Sequence, residues 1–305
     1  MRRFQVGFFI LVAIGVAAPF VGYPVFLMKA LCFGLFACAF NLLIGYTGLL
    51  SFGHATFLGT AGYVAGYSMK YWGLTPELGI LLGTLASAVL GYVVGSVAIR
   101  RQGIYFAMIT LALAQMMYFI YLQVQFTGGE DGLQGVPRGS LFGVLSLHDD
   151  LVLYYVVLAI FLLGFLLIYR TIHSPFGQVL KAIRENEPRA LSLGYDVDKY
   201  KLVAFVISAA LSGMAGATKT LVLGFETLTD VNWPLSGEVV LMTLVGGLGT
   251  IFGPLAGAVL ITTLENELAD KVGSWVQVIM GAIFVLCVLL FRRGIVGELS
   301  ALFKK

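Results

Sequence analysis

The sequence predicts an all-α polytopic membrane protein with about ten transmembrane helices, and three observations carry that prediction. Of 305 residues, 59% are hydrophobic and 11% charged, against roughly 25% charged in an average soluble domain. The apolar residues fall into successive runs near the 20 residues or so that one helical crossing of a bilayer needs. The 38 glycines lie scattered through those runs, which suits close helix packing where lipid supplies no hydrophobic drive for helices to associate.

Taken in order, the apolar runs lie near 4–21, 26–45, 48–69, 78–98, 104–125, 151–169, 201–223, 238–249, 253–268 and 273–291. The first follows Arg2 and Arg3 and resembles a signal peptide, but it leads into further spans without a clear small-residue cleavage site, so it is taken as the first helix. Glycines break the segment 45–60, and the eighth and ninth runs are short and Gly-interrupted. Cys32, Cys38 and Cys287 sit inside apolar runs as small hydrophobes, with no metal-ligand spacing.

Basic residues test the count, because every second loop should carry the Lys/Arg excess. Arg2 and Arg3 precede the first run, Arg100 and Arg101 follow the fourth, Arg170, Lys181, Arg184, Arg189, Lys199 and Lys201 lie around the 170–200 loop, and Arg292, Arg293, Lys304 and Lys305 close the chain. With ten spans all of these share one side, and both termini are cytoplasmic. The opposite loops are acidic: 126–150 holds Glu130, Asp131, Asp149 and Asp150 against Arg138, and 224–237 holds Glu226 and Asp230. The passages Gly48-Leu-Leu-Ser-Phe-Gly53 and Gly247-Leu-Gly-Thr-Ile-Phe-Gly253 resemble each other. They mark either an internal repeat, as transporters often have, or a likeness of composition between Gly-rich packing helices.

The cytoplasmic 170–200 loop is patterned as two short helices joined by a bend. Ser174-Pro175 is a helix start. After it Phe176, Val179, Leu180 and Ile183 form one apolar stripe, with Gln178, Lys181, Arg184 and Glu185 on the other face. Pro188, after Asn186-Glu187, breaks the run before a second helix ending near Gly194. Such a helix either rests on the membrane surface or offers a docking face.

The string Phe176-Gly-Gln-Val-Leu-Lys-Ala-Ile-Arg-Glu-Asn-Glu-Pro-Arg-Ala190-Leu-Ser-Leu-Gly194 resembles the signature loop of the branched-chain amino acid ABC-importer permeases. So do Asn41-Leu-Leu-Ile-Gly-Tyr-Thr-Gly-Leu-Leu-Ser-Phe-Gly-His-Ala55, Gly103-Ile-Tyr-Phe-Ala-Met-Ile-Thr-Leu111, Thr127-Gly-Gly-Glu-Asp-Gly-Leu-Gln-Gly-Val-Pro137 and Gly246-Gly-Leu-Gly-Thr-Ile-Phe-Gly-Pro254, in the family's order. The Thr127–Pro137 loop and the chain length look more like the M-type subunit than its H-type partner.

The resemblance implies a single permease domain over 1–305 in a bacterial inner membrane. It works with a second homologous permease, two cytoplasmic ATPase subunits and a periplasmic solute-binding protein. The 170–200 loop is then the ATPase-coupling segment, through Phe176, Gly177, Val179, Leu180, Ala182, Ile183, Arg184, Glu185, Asn186, Ala190 and Gly194. No Gly-x-x-x-x-Gly-Lys-Ser/Thr phosphate loop occurs in the chain, so ATP is expected to be used by the partners, with no cofactor held here.

Polar residues inside the runs are candidates for the translocation pathway: Asn41, Ser51, His54, Thr110 and Gln115. Each lines a pathway or bonds across helices. His54 has no second ligand at metal spacing. Lys29 is expected to snorkel and Lys219 to pair with Glu226, while Glu265 and Glu267 are expected to be solvated beside Asp270 and Lys271. Glu226, Asp230 and Glu238 are candidates to meet the binding protein.

An ion-coupled carrier or channel would need acids in mid-span, and these are scarce; an intramembrane enzyme would need a catalytic constellation the sequence lacks. The pathway suits a small solute with an aliphatic part: branched-chain amino acids, or urea, short amides and organic acids.

Overall fold

The structure, a computed structural model, describes residues 2–143, 145–290 and 294–302. Arg292, Arg293, Lys304 and Lys305 lie outside the described residues, as do the side chains of Arg2, Arg3, Asp270 and Cys287.

The chain is built of helices α1 (Arg2–Ala17), α2 (Pro24–Thr47), α3 (His54–Tyr71), α4 (Pro76–Ala98), α5 (Ile104–Gln123), α6 (Asp150–His173), α7 (Pro175–Glu185), α8 (Glu187–Ser192), α9 (Val197–Leu223), α10 (Trp233–Gly246), α11 (Gly253–Val272), α12 (Val276–Leu290) and α13 (Gly294–Leu302). Each of the ten apolar runs is a helix. Among the described residues five of them, α2, α4, α5, α6 and α9, are long and apolar enough to cross a membrane. Prolines mark the starts: Pro24, Pro76 and Pro175 are first helical residues, where the missing N–H costs nothing and the fixed φ already suits the helix.

Two boundaries differ from the sequence pattern. The third run is expected from residue 48, but 48–53 is not helical and α3 begins at His54. Gly48, at φ +77°, closes α2 in the left-handed region that glycine enters without steric cost. The ninth run, expected to be short, extends to Val272, since Glu265 and Glu267 continue the helix rather than ending it.

The core is α9, surrounded by α2, α3 and α4. A Cβ at Gly216 would overlap the Leu58 carbonyl of α3, and one at Gly83 of α4 would lie 2.5 Å from the Ala61 carbonyl. Small residues thus let backbones touch, replacing side-chain burial with close dispersion contact. Around this centre Phe36, Phe40, Phe161 and Phe165 fill the space between α2 and α6, while Met28, Tyr63, Tyr154 and Leu221 fill another cluster.

The 126–150 loop carries two single 3-10 turns and a two-residue hairpin, β1 (Ser140–Leu141) with β2 (Leu145–Ser146), a small departure from an all-α pattern. It folds back on the end of α9. Leu133 and Glu226 exchange backbone hydrogen bonds of 2.9 and 2.8 Å, and the Val136 N–H donates to Gly224 O at 2.8 Å. The Arg138 guanidinium meets Asp150 at 2.6 Å.

Replacing Gly216 by Val should force α3 and α9 apart and destabilise the fold by about 1–3 kcal/mol, the usual cost of overpacking. The check is a lowered melting temperature and loss of the monodisperse peak in detergent chromatography.

Candidate functional site

The 170–200 loop forms the two helices its pattern predicts. The Ser174 hydroxyl accepts from the Gly177 N–H at 3.3 Å to cap α7, and the Asn186 side chain accepts from the Arg189 N–H at 3.1 Å to cap α8. Gly177 sits where α6 turns into α7, against the carbonyls of Thr171 and Ile172, and a Cβ has no room there. Gly194, at φ +86°, ends the second helix.

The amphipathic stripe is real but faces inward. Leu180 and Ile183 are buried, and Ile183 packs with Ala190 and Val197, joined by Val179 and Tyr200. The ring of Phe176 stacks on Tyr200, centroids 5.5 Å apart. Gly177, Leu180, Ile183 and Ala190 therefore hold the unit together, whereas Ala182, Arg184, Glu185, Asn186 and Gly194 are exposed. Leu191 and Leu193 add exposed apolar surface at 55% and 69%.

Two polar ties fasten this unit to the bundle. Glu187 pairs with the buried Lys201 of α9 at 2.7 Å and accepts from Gln102 at 2.7 Å. Arg184 donates to the Gly45 carbonyl at the end of α2. Lys201, counted in the sequence only as loop charge, is thus an internal partner; its place beside an apolar run was the available signal.

The interior polar candidates are scattered among joints rather than gathered on one surface. Asn41 donates to Thr250 O and accepts from the Gly249 N–H, both at 2.9 Å. Ser51 accepts from the Gly53 N–H at 3.2 Å, and Thr110 accepts from the Phe52 N–H at 3.2 Å, so both support the 48–53 break. Gln115, half-buried on α5, joins neither group.

His54 is fully buried and edge-on to Phe40, Phe57 and Phe205. Its Nε2 lies 2.9 Å from the Ser208 hydroxyl, which donates its single proton to Ala39 O at 2.6 Å. Nε2 must then carry the proton, which leaves Nδ1 a buried acceptor without a partner among the described residues. Ser208, one small polar residue in an apolar run, was not singled out by the sequence.

Glu226 and Asp230, expected on an external docking face, are instead buried. Lys219 draws both inward, meeting Asp230 at 2.5 Å and Glu226 at 3.5 Å. Glu226 also accepts from the Thr220 hydroxyl at 2.6 Å. One cation serves two carboxylates, and burial pushes the Glu226 carboxyl up to about 8 while Lys219 pulls it down. Glu238 is half-buried on α10, and Lys29 lies 4.0 Å from Glu265 and over the Phe33 ring. Glu267 is exposed, 3.5 Å from Lys271.

Lys219→Met should cost about 3 kcal/mol or more in thermal stability, because it leaves buried carboxylates unpaired. A carboxyl whose folded pKa lies above its unfolded value adds stability that is complete at low pH and lost as pH rises. The melting temperature should accordingly fall between pH 4.5 and about 8, and Glu226→Gln should flatten that slope.

Residues 24–288 match the family described as "Branched-chain amino acid transport system / permease component". The chain is 27% identical to the high-affinity branched-chain amino acid transport system permease protein LivM of Salmonella typhimurium, over 93% of this chain and 73% of that one. It is also 27% identical to the LivM of Escherichia coli, covering 84% of this chain and 65% of the relative. With the ribose import permease protein RbsC of Bacillus subtilis identity is 30%, over 83% and 84% of the two chains. A multi-helix apolar bundle with this match over most of its length belongs to the family of branched-chain amino acid transport permease components.

Proposed function

We propose that this chain is the M-type permease subunit of an ABC importer that moves branched-chain or related amino acids into the cytoplasm by alternating access. The family match across 24–288 carries the proposal. The keyed two-helix unit at 175–192 supports it, since a permease driven from outside needs a rigid handle on its motor side. The chain does no covalent chemistry in this reading and holds no cofactor; ATP is used by two cytoplasmic ATPases.

In the full assembly a second, homologous permease and a periplasmic binding protein complete the importer in a bacterial inner membrane. The chain is one domain over 1–305, crossing ten times with both ends cytoplasmic, in keeping with the alternation of basic and acidic loops. The 126–150 loop then faces outward and 170–200 inward. Asn41, Ser51, His54, Thr110 and Gln115 are the candidates to line the pathway, the first four of them lying at the two helix breaks or bonded to them, and Glu238, half-buried, is the one of the three docking candidates that is not buried.

The 30% identity to a ribose permease favours a second reading, a small polyol or sugar as cargo. Mild-detergent purification followed by mass spectrometry, with uptake of labelled leucine and ribose into vesicles, tests both. Recovery of a second permease and two ATPases with leucine uptake is expected; a homomer transporting alone would overturn the importer.

Glu185→Lys with Leu193→Asp, on the exposed face of the two-helix unit, should reduce ATPase co-purification roughly tenfold or more, as loss of an interface anchor does, with the melting temperature unchanged. Retention of the ATPase at wild-type levels would remove this face from the interface.

A further inference from the structure

We infer that the movement of the coupling loop is passed through the end of α2 to the bend between α10 and α11. Arg184, Asn41 and Tyr46 are the positioning residues that carry it there. The inference rests on the importer reading above and adds to it the element that receives the motor's stroke.

Arg184 lies on α7 within the motor-side loop, yet its guanidinium turns into the chain and donates to the Gly45 carbonyl. That carbonyl is among the last four of α2, which have no partner within the helix and form the negative end of its dipole. A guanidinium caps it with a charge-assisted bond, the stronger class of hydrogen bond. Lys181, one turn earlier, lies over the Tyr46 ring at 5.7 Å. The α7 helix thus grips the end of α2 through two cations.

The end of α2 in turn grips residues 249–250. Asn41 clamps this segment from both sides, as donor to Thr250 O and acceptor from the Gly249 N–H, at 2.9 Å each. Tyr46 donates its hydroxyl to Gly249 O at 2.9 Å. Three hydrogen bonds therefore meet two residues of a bend that lies some two hundred positions away in sequence.

Little room is left between these backbones beyond what Asn41 and Arg184 take up. A Cβ at Gly45 would lie 2.9 Å from the Gly249 nitrogen, and one at Gly249 would lie 3.3 Å from Arg184 Nη1. Gly249, at φ +72°, adopts a conformation that a side chain would strain.

The bend is built to pass force onward rather than absorb it. The Thr250 hydroxyl donates to Gly247 O at 2.7 Å and accepts from the Gly253 N–H at 3.1 Å, closing the bend on itself. Beyond it α10 and α11 run together with backbones in contact, since a Cβ at Gly257 would overlap the Met242 carbonyl. A displacement of α7 therefore reaches α10 and α11 as one body. The other tie, Glu187 to Lys201, holds α8 to the start of α9. The core helix α9 is the fixed partner against which the α10–α11 pair moves.

Contact alone does not establish coupling, and a double-mutant cycle does. The complex of this chain with its partner ATPases is reconstituted in proteoliposomes, and ATP hydrolysis and uptake of labelled leucine are measured on the same vesicles. The chains compared are wild type, Arg184→Gln, Tyr46→Phe and the double variant.

The expected result is that all variants keep the ATPase bound and hydrolyse ATP, while leucine moved per ATP falls about tenfold in each single variant, within the range of typical allosteric couplings. The double variant should fall no further, because both changes cut one chain of contacts. Arg184→Lys, which keeps the charge, should recover part of the loss.

Uptake and hydrolysis falling in parallel, additive losses, unchanged stoichiometry, or release of the ATPase by Arg184→Gln would each overturn the inference; the last would place Arg184 in the motor contact instead. A wild-type chain that assembles with no ATPase would overturn the importer reading, and this inference with it.

Discussion

The fold depends on how closely other helices approach α9. Lipid offers no hydrophobic reward for bringing apolar helices together, so the bundle must be held by packing and by polar bonds that find no better partner in hydrocarbon. Missing Cβ atoms at Gly216, and at Gly83 on α4, let backbones meet where a larger side chain would hold them apart. Three polar residues of α9 tie other parts of the chain to it: Lys201 near its start, Ser208 in its middle and Lys219 near its end.

Each of those three residues holds a different part of the molecule. Lys201 takes Glu187 and so fixes the α7–α8 unit. Ser208 links His54 to the Ala39 carbonyl, joining α3 to α2. Lys219 takes Asp230 and Glu226, and the backbone exchange between Glu226 and Leu133 brings the 126–150 loop down over the same end. Buried ion pairs contribute little net stability, since desolvation offsets much of their attraction, but breaking one is costly. Their value here is to fix where the loops sit, and burial, with Asp230 competing for Lys219, leaves the Glu226 carboxyl favoured in its neutral form.

The two glycine-rich breaks have different supports. Residues 48–53 are held by Ser51 and by Thr110 on α5, while the α10–α11 bend is held by Asn41, Tyr46 and its own Thr250. A helix break in a membrane protein is tolerated where neighbouring groups satisfy the backbone it frees. Asn41, Ser51 and Thr110 are accordingly found at these breaks, where their side chains take up N–H and C=O groups that the helices leave free.

By itself the sequence determined the helical membrane class, ten apolar runs, the two-helix loop at 170–200 and the family, because each is written in local terms: hydropathy over about twenty residues, a capping serine before a proline, a 3.6-residue stripe, an ordered set of motifs. The pairing of Lys219 with Glu226 was also legible, being seven residues apart across one turn of chain. Only the tertiary structure decided that Glu226 and Asp230 are buried rather than exposed, that the stripe of α7 faces inward, and that Arg184 and Asn41 both serve the α10–α11 bend. Those outcomes depend on which distant backbone lies alongside, and partners such as Gly45 and Gly249 contribute a carbonyl or an N–H that every residue carries and no side chain advertises.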